Sequence, residues 1–202
     1  MDALAELAQV GELPARIVLV VADRPRAPAL EKAHRRDLPT VLLPSRHVDP
    51  EAWARSLTDE LATRGVELVV LAGFLTILPP SWVHRWRGRA INIHPALLPR
   101  HGGPGMYGTH VHQAVLAAKE AETGATVHLV TTEVDGGPIL AQERLPVRTD
   151  DTPDSLRARL HPIEVALLAD TIRRFAEGTL PLPYPEPRVE VPGARDLSRE
   201  LG

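Results

Sequence analysis

Two short stretches carry the residue types that proton transfer and oxyanion stabilisation require. The first is Ile91-Asn-Ile-His-Pro-Ala-Leu-Leu-Pro99. Asn92 and His94 stand two residues apart, so on a strand their side chains share a face. An amide can donate to a developing oxyanion; an imidazole can stabilise the same charge as imidazolium or carry a proton. The second is Glu133-Val-Asp-Gly-Gly-Pro138, where Asp135 precedes two glycines. Each stretch also has a plainer reading. An Asn-x-His pair can simply satisfy loop backbone at a strand end, and Asp-Gly-Gly commonly only makes a turn. The pairing gives them interest, because a carboxylate beside His94 would hold the ring and raise its pKa. A zinc site gathered from His94, His101, His110, His112 and Asp135 is a rival use of the region, although it leaves Asn92 without a role.

The elements that must position these groups follow from the apolar pattern. Residues 16–22, 40–43 and 67–74 are short, uninterrupted and rich in β-branched residues and Leu, which suits parallel strands buried on both faces. Helical stretches lie between them: residues 2–10, with Leu4, Leu7 and Ala8 on one face, and residues 50–64, opening with Pro50 and stopping at Gly65. Strand–helix alternation at this spacing predicts a Rossmann-like α/β fold, a mostly parallel doubly wound sheet. The second half changes character. A short strand at 90–94 enters a Pro/Gly-rich loop at 95–108, and a helix follows over 109–121. Two extended runs, 125–131 and 138–147, then alternate in a way that predicts a C-terminal antiparallel portion. A long helix is expected over 152–177, capped by Thr152, with Pro153 in its first turn and a kink at Pro162. Residues 1–182 read as one domain and 183–202 as a Pro-rich, charged tail. The strand end at 92–94 is where open α/β sheets place their ligands.

Composition narrows the function classes. The 202 residues include no cysteine, which removes disulfides, thiolate metal sites and a cysteine nucleophile. A formal net charge of −3 argues against a nucleic-acid partner. No apolar run reaches the length of a membrane span, and the N-terminus lacks a signal-peptide pattern, so no membrane partner and a cytoplasmic location are expected.

Asn-Ile-His-Pro-Ala-Leu-Leu-Pro, followed roughly forty residues later by Asp-Gly-Gly-Pro, resembles the folate-dependent formyltransferase family. Phe74-Leu-Thr-Ile-Leu78 after Val-Val-Leu-Ala-Gly, and the strand Thr123-Gly-Ala-Thr-Val-His128, are similar to the branch that acts on glycinamide ribonucleotide. The resemblance covers about residues 1–182. It implies transfer of a formyl group from 10-formyltetrahydrofolate, as co-substrate and without a metal, to the amine of glycinamide ribonucleotide in purine synthesis. It implies that Asn92, His94 and Asp135 are the catalytic trio. It assigns Leu75, Thr76, Ile77, Leu78 and Val83, with Thr131, Thr132, Glu133 and Val134, to the walls around the pterin, where Asn92 and Asp135 also face the folate. Pro95, His161 and Glu164 fall where relatives contact the ribonucleotide. A homodimer is left open.

Three departures stand out. The family opens with a strand and a Gly-Ser-Gly-Ser-Asn-like loop that holds the substrate phosphate, and nothing like it occurs here; Met1 lines up with the helix after that loop. The expectation is therefore that strands 16–22 and 67–74 lack a shared partner, and that about a dozen residues are missing through a mis-assigned start codon. An inactive paralogue or a folate-binding module is the alternative. Pro50 replaces a basic residue that relatives place before Glu-Ala-Tyr, and the loop 100–108 is longer than in many relatives. Formyltetrahydrofolate hydrolase shares the trio but carries a second His where this chain has Pro95.

Overall fold

A computed structural model describes residues 1–180; the expected tail at 183–202 lies outside them. Elements follow in the order α1 (Asp2–Gln9), β1 (Val20–Ala22), α2 (Pro28–His34), β2 (Thr40–Leu42), α3 (Pro50–Thr63), β3 (Val69–Ala72), α4 (Pro80–Arg85), β4 (Ala90–His94), α5 (Thr109–Ala117), β5 (Glu122–Leu129), β6 (Ile139–Pro146) and α6 (Pro153–Ala176). β1 and β2 pair in parallel, as do β3 and β4. β5 then runs antiparallel to β4, and β6 antiparallel to β5. The architecture is α/β, parallel in its first half and antiparallel after β4, as the change in apolar pattern predicts.

The helices start where local chemistry supplies caps. Asp49 accepts from the Ala52 amide at 2.7 Å, ahead of Pro50 in the first turn of α3. Thr152 and Ser155 form a reciprocal capping box on α6, which continues through Pro162. α2 and α4 are short and begin with Pro28 and Pro80; the sequence reading passed over both.

Two apolar clusters flank the strands. Trp53, Leu57 and Leu61 of α3 pack with Trp82, Val83 and Trp86 at α4. Leu4 of α1 and Leu168, Ala169 and Ile172 of α6 pack with Ile91, Val127 and Leu129. β1 and β3 border the first cluster through Val21, Val69 and Leu71, with Leu19 just ahead of β1. Yet among the described residues no strand pairing joins β1–β2 to β3–β4–β5–β6. This explains one correction: Val69, Val70 and Leu71 are half-buried rather than buried on both faces, because β3 has a paired neighbour on one side only. A second correction concerns β5, which is buried on both faces from Thr123 to Leu129 instead of alternating, since β4 and β6 flank it and α6 packs against it.

Candidate active site

The site lies where β4 ends. Register places Asn92 opposite Leu71 of β3 and His128 of β5. β6 is displaced against β5 between Val127 and His128, a bulge of the kind that re-aims side chains beside functional sites. The chain then turns through Asp135, whose φ of 55° is left-handed for a non-glycine residue. Gly137 is required there, because a Cβ would meet the Leu129 carbonyl oxygen at 1.8 Å. This turn returns Asp135 to the end of β4.

Four polar side chains converge. His94 is 3% exposed, and its Nε2 lies 2.8 Å from the His101 carbonyl. A carbonyl only accepts, so Nε2 carries the proton and Nδ1 presents its lone pair to Asp135 Oδ2 at 3.5 Å. His128 is fixed the same way: Nδ1 donates to its neighbour's carbonyl, that of Leu129, at 2.9 Å. Its Nε2 is then an acceptor, and Asn92 Nδ2 donates to it at 3.0 Å. The second amide proton of Asn92 reaches Asp135 Oδ1 at 3.4 Å, a long contact. Asp135 Oδ2 also accepts from the Gly103 amide at 3.0 Å.

Electrostatics set the resting protonation. Burial disfavours the imidazolium and brings the His94 pKa below the usual imidazole value, against the opposing pull of Asp135 and the His101 carbonyl. Asp135 pulls this pKa upward as expected, but desolvation outweighs the carboxylate and the net shift is downward. Burial pushes Asp135 upward, but the His128 ring, the His94 ring and the Gly103 amide together bring its pKa below the ordinary carboxylate value. At neutral pH a neutral imidazole faces an ionised carboxylate across 3.5 Å with no proton between them. That pair is a ready base: a proton placed between Nδ1 and Oδ2 would satisfy both. The zinc alternative loses its geometry, since among the described residues no group of three or more His, Asp or Glu side chains is placed to hold a metal ion.

The chain as a whole is similar to known proteins. The model of the formyl transferase family matches residues 1–172. The chain belongs to the formyl transferase family. It is 35% identical over 181 residues to phosphoribosylglycinamide formyltransferase of Escherichia coli K12, spanning 89% of this chain and 83% of that protein. It superposes on glycinamide ribonucleotide transformylase 1 from Symbiobacterium toebii with a TM-score of 0.81 at 32% identity, covering 88% of this chain and 82% of the other. A formyltetrahydrofolate deformylase from Pseudomonas syringae is also similar, at TM-score 0.75 and 25% identity, with 87% of this chain and 57% of that chain covered.

In this formyl transferase the expected wall residues divide. Leu75, Ile77 and Val134 are exposed at 44%, 72% and 37%, whereas Leu78 and Val83 are buried in the cluster around Trp82. Thr76 Oγ1 donates to Asp23 Oδ2 at 2.6 Å and meets Ser45 Oγ at 2.9 Å, tying together the ends of β1, β2 and β3. Thr131 donates to the Glu133 carbonyl at 3.0 Å, and Thr132 and Glu133 are exposed. Pro95 is half-buried beside His94. His161 Nδ1 stands 3.5 Å from Glu164 Oε2 on α6. Burial raises the Glu164 pKa, with His161 and the chain's amino terminus opposing. Sequence reasoning gave His128 and Asp23 no role in the site and named His101 only among the rival zinc ligands. The period-two spacing of Thr126 and His128 was a usable signal for His128; nothing local marks the other two.

Proposed function

We propose that this formyl transferase moves the formyl group of 10-formyltetrahydrofolate onto the amine of glycinamide ribonucleotide in purine biosynthesis, with Asn92, His94 and Asp135 as its catalytic residues. The observation that carries the reading is the convergence of a fixed amide, a neutral imidazole and an ionised carboxylate at one strand end. The names of the relatives support the choice of ribonucleotide.

The co-substrate supplies an electrophilic formyl carbon. Leu75, Ile77 and Val134 offer the exposed apolar surface that suits a flat pterin. Thr76, Leu78, Val83 and the 131–133 segment shape that wall, in part from beneath. Pro95, His161 and Glu164 are the proposed contacts to the ribonucleotide, with Glu164 as hydrogen-bond partner of the glycinamide or ribose. Asn92 keeps its 3.0 Å bond to His128 and exchanges the long 3.4 Å contact to Asp135 for the developing oxyanion. The His94–Asp135 pair takes up the proton that the attacking amine must lose, directly or through water. The resulting imidazolium then reinforces the field at the oxyanion. That proton goes on to N10 of the folate as the formyl C–N10 bond breaks and tetrahydrofolate leaves. No step calls on a metal, and activity should survive a chelator. The proposed setting is the cytoplasm; among the described residues no helix is long and apolar enough to cross a membrane.

The test is a formyl-transfer assay on His94→Ala and Asp135→Ala. Each should lower turnover by about two orders of magnitude or more, and near-normal turnover in either refutes the assignment. The likeness to the deformylase raises hydrolysis as a second reading; formate released at the same rate with and without the ribonucleotide would favour it.

A further inference from the structure

His94 is held at Nε2 by a backbone carbonyl rather than by a side chain, so whatever fixes that carbonyl fixes the ring. The carbonyl belongs to His101, whose φ of 55° is unfavourable for a non-glycine residue and needs outside support. That support comes from Glu120. Its Oε1 receives His101 Nε2 at 2.9 Å, and its Oε2 receives Arg100 Nη1 at 2.8 Å. Glu120 is itself rigidly placed. α5 ends in a Schellman turn: Lys119 is left-handed at φ 51°, its amide donates to the Leu116 carbonyl at 3.0 Å, and the Glu120 amide reaches back to the Val115 carbonyl at 3.3 Å. Val115 is fully buried, so the carboxylate stands on a fixed base. On the far side of the carbonyl, the Gly103 amide is bound by Asp135. Gly102 lets the loop pass: a Cβ there would meet Leu98 Cδ2 at 2.4 Å and Asp135 Cβ at 3.3 Å.

We infer that Glu120 is a positioning residue, which acts through His101 to hold His94 in its Nε2–H form with Nδ1 turned to Asp135. Glu120 touches no reacting atom. Its carboxylate clamps Arg100 and His101, the His101 carbonyl takes the Nε2 proton, and Nδ1 is left as the proton acceptor. The inference rests on the catalytic assignment of His94 but predicts a spectroscopic result that is independent of activity.

Glu120→Ala, Glu120→Gln and His101→Ala test it. In Glu120→Ala, kcat should fall about tenfold to a hundredfold, the size of effect expected from a slight misplacement of a catalytic group, while KM for the ribonucleotide stays within about twofold. Glu120→Gln keeps an acceptor for His101 and should retain kcat within about threefold of the parent. The double variant with His101→Ala should lose little more than either single one, since both cut the same link. Nitrogen-detected NMR of the His94 ring should show the Nε2–H tautomer in the parent and in Glu120→Gln, and a mixture of tautomers in Glu120→Ala. An unchanged His94 tautomer in a folded Glu120→Ala overturns the inference, whatever happens to kcat. So does additive loss in the double variant. If His94→Ala itself keeps full turnover, the catalytic reading has failed, and the NMR result still decides the positioning role.

Discussion

Replacing His128 with phenylalanine removes the main restraint on Asn92 while nearly preserving buried volume. The Asn92 amide has two contacts, 3.0 Å to His128 Nε2 and 3.4 Å to Asp135 Oδ1. The second is too long to hold an orientation, because hydrogen bonds of this kind centre near 2.9–3.0 Å. Without His128 the amide can turn toward other acceptors, and its donor points at the reacting oxygen for only part of the time. A complete loss of such a donor costs about a hundredfold to a thousandfold in kcat; partial loss of its orientation should cost about tenfold to a hundredfold. Stability should fall as well. The ring is 3% exposed, and its Nδ1 donates to the Leu129 carbonyl at 2.9 Å. The buried Leu129 carbonyl would lose its imidazole donor, at about 1–3 kcal/mol if left unsatisfied, while the half-buried Asn92 amide keeps its long contact to Asp135. In a chain of this size each kcal/mol lowers Tm by roughly 2–4 °C. Steady-state formyl transfer and a thermal melt measure both effects. A folded His128→Phe with kcat within about twofold of the parent would show that His128 does not orient Asn92.

Three further outcomes follow from the same structure. Stability should decline as pH falls below neutrality. Burial puts the pKa values of His94 and His112 below the ordinary 6.5, so the unfolded chain takes up their protons first, and the loss begins as pH drops through that value. Asp135 and Asp151, with pKa values below the ordinary 3.8, extend the loss at lower pH, whereas the raised Glu164 contributes with the opposite sign, its share being lost as pH rises through its folded value. Melts across this range should show Tm falling with acidity, and a flat profile refutes the protonation states assigned here. Gly137→Ala should cost about 1–3 kcal/mol in a denaturant titration and lower kcat, because its Cβ would collide with backbone 1.8 Å away, two residues from Asp135. Thr152→Ala should cost about 1 kcal/mol through loss of the α6 cap and leave kcat unchanged; a large activity loss would mean that α6 positions the site more tightly than its contacts suggest.

Asn92 and His94 were legible because a strand period of two is short-range information, and Asp135 because Asp-Gly-Gly marks a turn whatever its surroundings. The parallel-to-antiparallel switch was legible for the same reason. The supports of the trio were not. His128 shares a strand face with Thr126 by its period-two spacing, but that signal names no partner, and the pairing of β4 with β5 is what sets it opposite Asn92. His101 acts through its carbonyl, which no side-chain pattern can mark, and its link to Glu120 spans nineteen residues. Strand lengths were overestimated: residues 16–22 read as a continuous apolar run, but only Val20–Ala22 finds a partner in β2. The net pKa of His94 was not legible, because the desolvation imposed by the packed strand end, which outweighs the upward pull of Asp135, appears only once the chain is folded.

The most direct test of the central claim follows the formyl carbon itself. The chain is incubated with 10-formyltetrahydrofolate carrying a labelled formyl group and with glycinamide ribonucleotide, and the label is traced by NMR. The account predicts that the label appears on the amine of the ribonucleotide with the parent chain, and at about a hundredth of that rate or less with His94→Ala or Asp135→Ala. Label appearing only as free formate, or appearing on the ribonucleotide equally fast with either variant, would contradict it.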